Sequence, residues 1–332
     1  MLMIYPKKLK PGAHIRIIAP SRSFKIISEE TREIAKKRFA DMGISVSYSK
    51  HCDEIDDFVS SSIASRLEDL HEAFADKNVD GILTAIGGFN TNQLIDRIDY
   101  NLIKNNPKIL CGFSDITCLC HAITTKTDVV TYSGPHFSSF GMLHGFDYTL
   151  DYFKKCLIEN TPYQVTPAKE YSNDEWFMDQ EKRNFTPNNG FWIINKGKGN
   201  IFEGKLIGGH VRCLSSLQGT EFWPSLKNSI LFLEEDEETN AVLFDRLLQS
   251  LIQQADFKYV KALIIGRFRP ESKIDRNLLE QIIHTKEALN DLPVIANFDI
   301  GHTTPIITYP IGGQISLKMQ GDKLPIIEIL EH

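Results

Sequence analysis

The chain has 332 residues, long enough for two domains with cores of their own. Lys and Arg number 37 against 43 Asp and Glu, a net charge of −6, so it lacks the basic excess that nucleic acid or an anionic membrane rewards. Its 42% apolar share is ordinary for a globular protein, and no apolar run approaches the ~18 residues of a membrane span.

The start runs apolar first (Met1 to Tyr5) and basic second (Lys7, Lys8, Lys10). A secretory leader has the opposite order, so a cytoplasmic location is expected. His14 to Ala19 reads as a strand ending at Pro20-Ser21. Ser28 is placed to cap a helix that stops before Gly43, and Gly43 to Ser49 alternates as a strand. Ile63 to Phe74 has Leu67, Leu70 and Phe74 on one helical face. Gly81 to Ile86 is a buried strand ending in Gly87-Gly88, and Lys108 to Phe113 is another that leads straight into Ser114. In the following helix Ile116, Leu119, Cys120 and Ile123 share a face, and Val129 to Tyr132 is a further strand.

Strand, crossover helix, strand predicts an α/β fold: an N-terminal, mostly parallel sheet flanked by helices over 1–160. Residues 161–198 are polar and aromatic, rich in Asn, Pro and Gly, and read as an irregular connector. A smaller C-terminal α/β domain, 199–332, follows. Its elements are a strand at Ser229 to Leu233, a helix bearing Phe244, Leu247, Leu248 and Leu251, and a strand at Val260 to Phe268. A helix from Arg276 to Leu289, a strand from Pro293 to Phe298, and a strand-rich end with turns at Ile311-Gly312-Gly313 and Gln320-Gly321-Asp322 complete it.

Four constellations carry chemistry. Gly112-Phe113-Ser114-Asp115 places a serine on a sharp strand-to-helix turn, where a helix N-terminus favours a developing oxyanion. A hydrolase elbow has glycine two residues after the serine, and here that position is Ile116, so the same residues also suit a plain helix cap. Gly87-Gly88 lets backbone N–H groups approach a ligand, or simply makes a tight turn. Glu234 opens a run of five acids; only this first one, next to the buried strand, is expected to orient a histidine, the rest being solvated. His302, in Gly301-His302-Thr303-Thr304-Pro305, sits on an expected loop after a strand, a setting for a general base or for an idle loop histidine. His136 and His210, near glycines, are possible pocket liners. The six cysteines, Cys52, Cys111, Cys118, Cys120, Cys156 and Cys213, form no CxxC pair or zinc spacing and read as reduced thiols.

These motifs come in a specific order: KKLKPGAHIRIIAPS, AIGGFNTNQLI, CGFSDIT, GKLIGGHVRCL, FWPSLKNSILFLEED and NFDIGHTTPIITYPIGG. Together they resemble the LD-carboxypeptidase family of serine peptidases over nearly the whole chain. That family includes muramoyltetrapeptide carboxypeptidases and microcin C immunity peptidases. The resemblance implies Ser114 as nucleophile, Glu234 and His302 as its triad partners, and the N–H groups of Gly88 and Asp115 as the oxyanion hole. It implies a homodimer that needs no metal and no cofactor, with the site between the two domains.

Two departures bear on the substrate. Ile86 stands where many cell-wall members have Arg, and His210 where the family usually has Asn. The first, with NTNQL, DEW and FWP, looks more like the microcin immunity branch, in which an aromatic side chain stacks on a nucleotide base. Trp176 is the candidate for that stack, with Trp192 second, beside Gly87, Phe89 and His210 as substrate-binding residues. Packing of the connector is the other role open to these tryptophans. The expected substrate is an aminoacyl-nucleotide amide, with murein tetrapeptide ending in D-Ala as the alternative, and an inactive ligand-binding homologue as the rival of another class. A cysteine-nucleophile amidotransferase-like enzyme would want Cys, not Ser114, at the elbow.

Overall fold

The computed structural model describes residues 2–321 and 323–332. The apolar runs of the N-terminal half become strands and the amphipathic runs between them helices. In order these are β1 (His14–Ile18), α1 (Glu29–Asp41), β2 (Ser45–Tyr48), α2 (Ile63–Ala75), β3 (Gly81–Thr84), α3 (Tyr100–Asn105), β4 (Ile109–Cys111), α4 (Ile116–Thr127), β5 (Thr131–Ser133) and α5 (Asp147–Leu157). Ser28 caps α1 as expected, its hydroxyl accepting from Thr31 N, and Ser62 caps α2 in the same way.

Four short strands follow: β6 (Tyr163–Val165), β7 (Glu170–Tyr171), β8 (Thr186–Pro187) and β9 (Trp192–Lys196). Then come β10 (Ile201–His210), α6 (Val211–Ser215), β11 (Ser229–Glu234), α7 (Ala241–Ile252), β12 (Ala262–Gly266), α8 (Arg276–His284) and β13 (Pro293–Phe298). The chain ends in β14 (Tyr309–Ile311), β15 (Gln314–Gln320) and β16 (Lys323–Glu331). Asp322, last residue of the expected turn before β16, lies outside the described residues.

The first sheet has the order β14-β5-β4-β3-β1-β2, and β1 to β5 run parallel. The second has the order β6-β16-β15-β10-β11-β12-β13-β9, with β10 to β13 parallel and the flanking strands antiparallel. This is the α/β fold expected, with a parallel-rich N-terminal sheet and a strand-rich end. The two sheets interlock, because β14 leaves the C-terminal segment to pair with β5 (Tyr309 opposite Ser133).

Residues 161–198 are more ordered than an irregular connector. Within them β6 and β9 form the two outer edges of the eight-stranded sheet, and β7 pairs with β8 as a small hairpin. Their runs are short and their faces half exposed, so alternation leaves little trace in composition. The helix expected through Leu289 ends at His284, and Glu287–Leu289 forms a separate 3₁₀ turn.

Parallel sheets bury both faces, which is why β3, β4, β11 and β12 are buried at every position. Register then brings chain ends together: Leu83 lies beside Cys111 at the end of β3 and β4, and His210 beside Glu234 at the end of β10 and β11. The carboxyl ends of parallel strands are where open α/β sheets hold ligands.

Candidate active site

Ser114 follows β4 with φ of +61°, a left-handed conformation that a non-glycine residue adopts only when its surroundings hold it there. It is not the cap of α4: that position is Asp115, and the Ser114 hydroxyl is turned toward another domain's histidine. Ser114 Oγ lies 3.0 Å from His302 Nε2, and His302 Nδ1 lies 2.8 Å from Glu234 Oε2. A carboxylate only accepts, so Nδ1 carries the hydrogen toward Glu234 and Nε2 is left to accept from the serine.

Glu234 ends β11 and is 4% exposed. Burial alone would raise its pKa, but the His302 and His210 rings outweigh burial and hold the carboxyl below its ordinary value. Gly301 keeps His302 against it: at φ +99° a side chain here would be strained, and a Cβ would sit 2.6 Å from Glu234 Oε2. The Phe113 ring packs against His302, with ring centroids 5.3 Å apart.

The Gly87-Gly88 loop meets Ser114 from β3. A Cβ on Gly87 would lie 3.1 Å from Ser114 Cβ, and one on Gly88 would lie 2.2 Å from Ser21 Oγ, so both positions need glycine for close approach. Asp115 holds this loop. Its Oδ2 accepts from Ser21 Oγ (2.6 Å), Asn90 N (2.9 Å) and Thr91 N (3.0 Å), while Thr91 Oγ1 donates back to the Asp115 carbonyl. Among the described residues, no hydrogen bond draws the N–H of Gly88 or of Asp115 to another protein group.

Two cavities flank the Ser114–His302 pair. One, of about 210 Å³, is lined by His302, Phe113, His136, Trp176, Phe177 and Arg269, among others. The other, of about 200 Å³, is lined by Ser114, Gly88, Phe89, Cys118, His210 and Cys213, among others. Trp176 therefore reaches the cavity beside His302. Trp192 does not: it lies on edge strand β9 and packs on the core of the second sheet. Phe89 is 72% exposed at the rim, with the Arg22 guanidinium 5.7 Å from its ring.

The acidic run departs from the solvated loop expected of it. Glu235 is 1% exposed and Asp236 is half-buried, because Arg212 pairs with Glu235 (3.0 Å), Asp236 and Glu238 (2.9 Å). His210 adds to this knot, with Nε2 3.2 Å from Asp236 Oδ2. Burial opposes charge on His210, yet Asp236, Glu234 and Glu235 outweigh it and raise the imidazole to about 9. Sequence reasoning missed Arg212 because its partners lie more than twenty positions away.

His136, expected as a pocket liner, does line the cavity beside His302; its Nδ1 lies 2.7 Å from Thr84 Oγ1 while Nε2 has no partner among the described residues. Burial, then His302 and Arg22, push this ring down to about 3, so it is neutral in the cavity wall. The clue was its glycine neighbour on the loop after β5, at the same sheet edge as Ser114. No helix among the described residues is long and apolar enough to cross a membrane.

The chain matches the LD-carboxypeptidase N-terminal domain over residues 15–134 and the LD-carboxypeptidase C-terminal domain over residues 203–317. It is 49% identical over 315 residues to YocD of Bacillus subtilis, provisionally named a carboxypeptidase, covering 95% of this chain and 96% of that one. A solved MccF-like protein from Bacillus anthracis superposes with a TM-score of 0.96 at 49% identity, over 99% of this chain and 100% of the other. MccF solved in complex with glutamyl sulfamoyl guanosine superposes with a TM-score of 0.88 at 26% identity, over 100% and 99%. An Oγ–Nε2, Nδ1–carboxylate chain between two matched domains is the equipment of acyl transfer, and the chain belongs to the LD-carboxypeptidase family of serine peptidases.

Proposed function

We propose that this peptidase hydrolyses amides of aminoacyl nucleotides through Ser114, His302 and Glu234. The observation that carries the reading is the unbroken contact chain from Ser114 Oγ through His302 to Glu234 Oε2. Ser114 Oγ attacks the carbonyl carbon and its proton passes to His302 Nε2. Glu234 holds the Nδ1–H tautomer and favours the imidazolium. The N–H groups of Gly88 and Asp115 take the oxyanion, each worth ~10²–10³ in rate. His302 then returns the proton to the leaving nitrogen, and water releases the acyl group by the same path.

In this reading the nucleoside lies in the cavity with Trp176, whose indole stacks on the base. The aminoacyl group lies on the opposite side, near Gly87, Phe89 and His210. MccF holding glutamyl sulfamoyl guanosine on the same fold supports it. So does the apolar Ile86, which lines the Trp176 side. The division into 1–160, 161–198 and 199–332, a homodimer, and a cytoplasmic location belong to the same reading.

The test offers purified protein both glutamyl sulfamoyl adenosine and murein tetrapeptide ending in D-Ala. The expected outcome is cleavage of the nucleotide amide, lost in Ser114→Ala. Release of D-Ala with no action on the nucleotide amide would instead make it a murein carboxypeptidase of peptidoglycan recycling. Binding of either with no cleavage would leave a ligand-binding homologue.

A further inference from the structure

We propose that Cys118 and Cys213 form a hydroperoxide-oxidisable thiol pair whose disulfide ties the Ser114 helix to α6 and reversibly closes the cavity on that side of the nucleophile. Cys118 lies on the first turn of α4, and Cys213 lies on α6, three residues after His210. The two sulfurs lie within 4.8 Å of one another and of an Asp115 carboxylate oxygen. The Cys118 thiol is 3.2 Å from the Cys213 carbonyl and 3.3 Å from Ser216 Oγ. A disulfide needs the sulfurs at about 2.05 Å, so side-chain rotation has only this short gap to close.

Their surroundings separate them from the other thiols. Both line the cavity that contains Ser114, and Cys213 is half-buried. His210 Nδ1 lies 3.2 Å from Cys213 Sγ, and its Nε2 faces Asp236 and Glu235, so two carboxylates keep an imidazolium beside the pair. Hydrogen bonding with Cys213 lowers the Cys118 pKa against burial and raises that of Cys213, so Cys118 is the more acidic sulfur of the pair. Burial pushes Cys52 and Cys120 up to about 12 and Cys156 up to about 11, and no described cavity is lined by them.

The chemistry balances with one hydroperoxide. The thiolate attacks a peroxide oxygen, the O–O bond breaks, and the leaving hydroxide departs as water, giving a sulfenic acid. The second thiol attacks that sulfur and displaces its hydroxyl as a second water. Two thiols are oxidised and hydrogen peroxide is reduced. A thiol reductant reverses the bond by exchange.

The test treats reduced, purified full-length protein with hydrogen peroxide, alkylates the remaining thiols, and digests it without reductant. The expected result is a cross-linked Cys118–Cys213 peptide. Hydrolysis should slow on the order of 10²-fold, as for an ångström-scale misplacement, and both changes should reverse with dithiothreitol. Cys118→Ser and Cys213→Ser, each normalised to its own reduced rate, should keep that rate through the same treatment. The proposal is overturned if other thiols oxidise while this peptide never forms, or if the variants lose as much rate as the parent. Peptide mass needs no substrate, so failure of the hydrolytic reading would not be mistaken for failure of the cross-link.

Discussion

Replacing Asp115 by Ala tests how the loop beside Ser114 is held. The change leaves the Asp115 N–H in place and removes only the carboxylate, which is 3% exposed and accepts from Ser21, Asn90 and Thr91. Hydrogen bonds to a charged group contribute ~1.5–3 kcal/mol each, and three sharing one oxygen are not additive, so ~3–6 kcal/mol is the expected loss. Without that anchor the Gly87-Gly88 loop is free to shift, and a ~1 Å shift costs about 10²-fold in rate. Asp115→Asn keeps an oxygen for the same donors and loses only the charge, so about half of the stability loss is expected. Urea melts and steady-state kinetics of both variants provide the assay. An Asp115→Ala protein with the parent's urea midpoint and the parent's kcat would refute the reasoning.

Glu234→Gln should lower kcat by about 10³–10⁴-fold with little change in KM, since an amide neither charges nor secures the His302 tautomer; pre-steady-state kinetics would show acylation as the slowed step. Trp176→Ala should raise KM for a nucleotide amide by the ~1–3 kcal/mol of one base stack, while leaving a substrate without a base unaffected. His210 is held at about 9 in the folded protein, against burial, by Asp236, Glu234 and Glu235. Its charge therefore stabilises the fold fully below its ordinary value of ~6.5, and that contribution disappears as the pH rises through about 9. In His210→Asn, unfolding free energies from urea melts at either end of that window should differ by roughly 3 kcal/mol less than in the parent.

Much of this site was legible because strand ends leave signatures. Buried runs ending at Gly87, Ser114, Glu234 and just before His302 mark the carboxyl edges of two parallel sheets, and those edges converge. The elbow looked incomplete because Ile116 occupies the place of a second glycine. The close approach is made elsewhere: a Cβ on Gly112 would sit 2.2 Å from Thr84 Oγ1, and Ile116 packs against Gly112 instead of crowding Ser114. What was not legible depends on distant pairing. Arg212 neutralises acids that composition alone assigns to solvent, β6 and β9 are strands only because a sheet edge exists to receive them, and Trp192 reads like Trp176 until β9 carries it to the far edge.

The central claim is that Ser114 carries the acyl group. Mass spectrometry of protein quenched during turnover of an aminoacyl-nucleotide amide tests this directly. The account predicts an adduct of the acyl mass on the peptide containing Ser114, absent in Ser114→Ala. Undiminished turnover in Ser114→Ala, or an adduct on another residue, would contradict it.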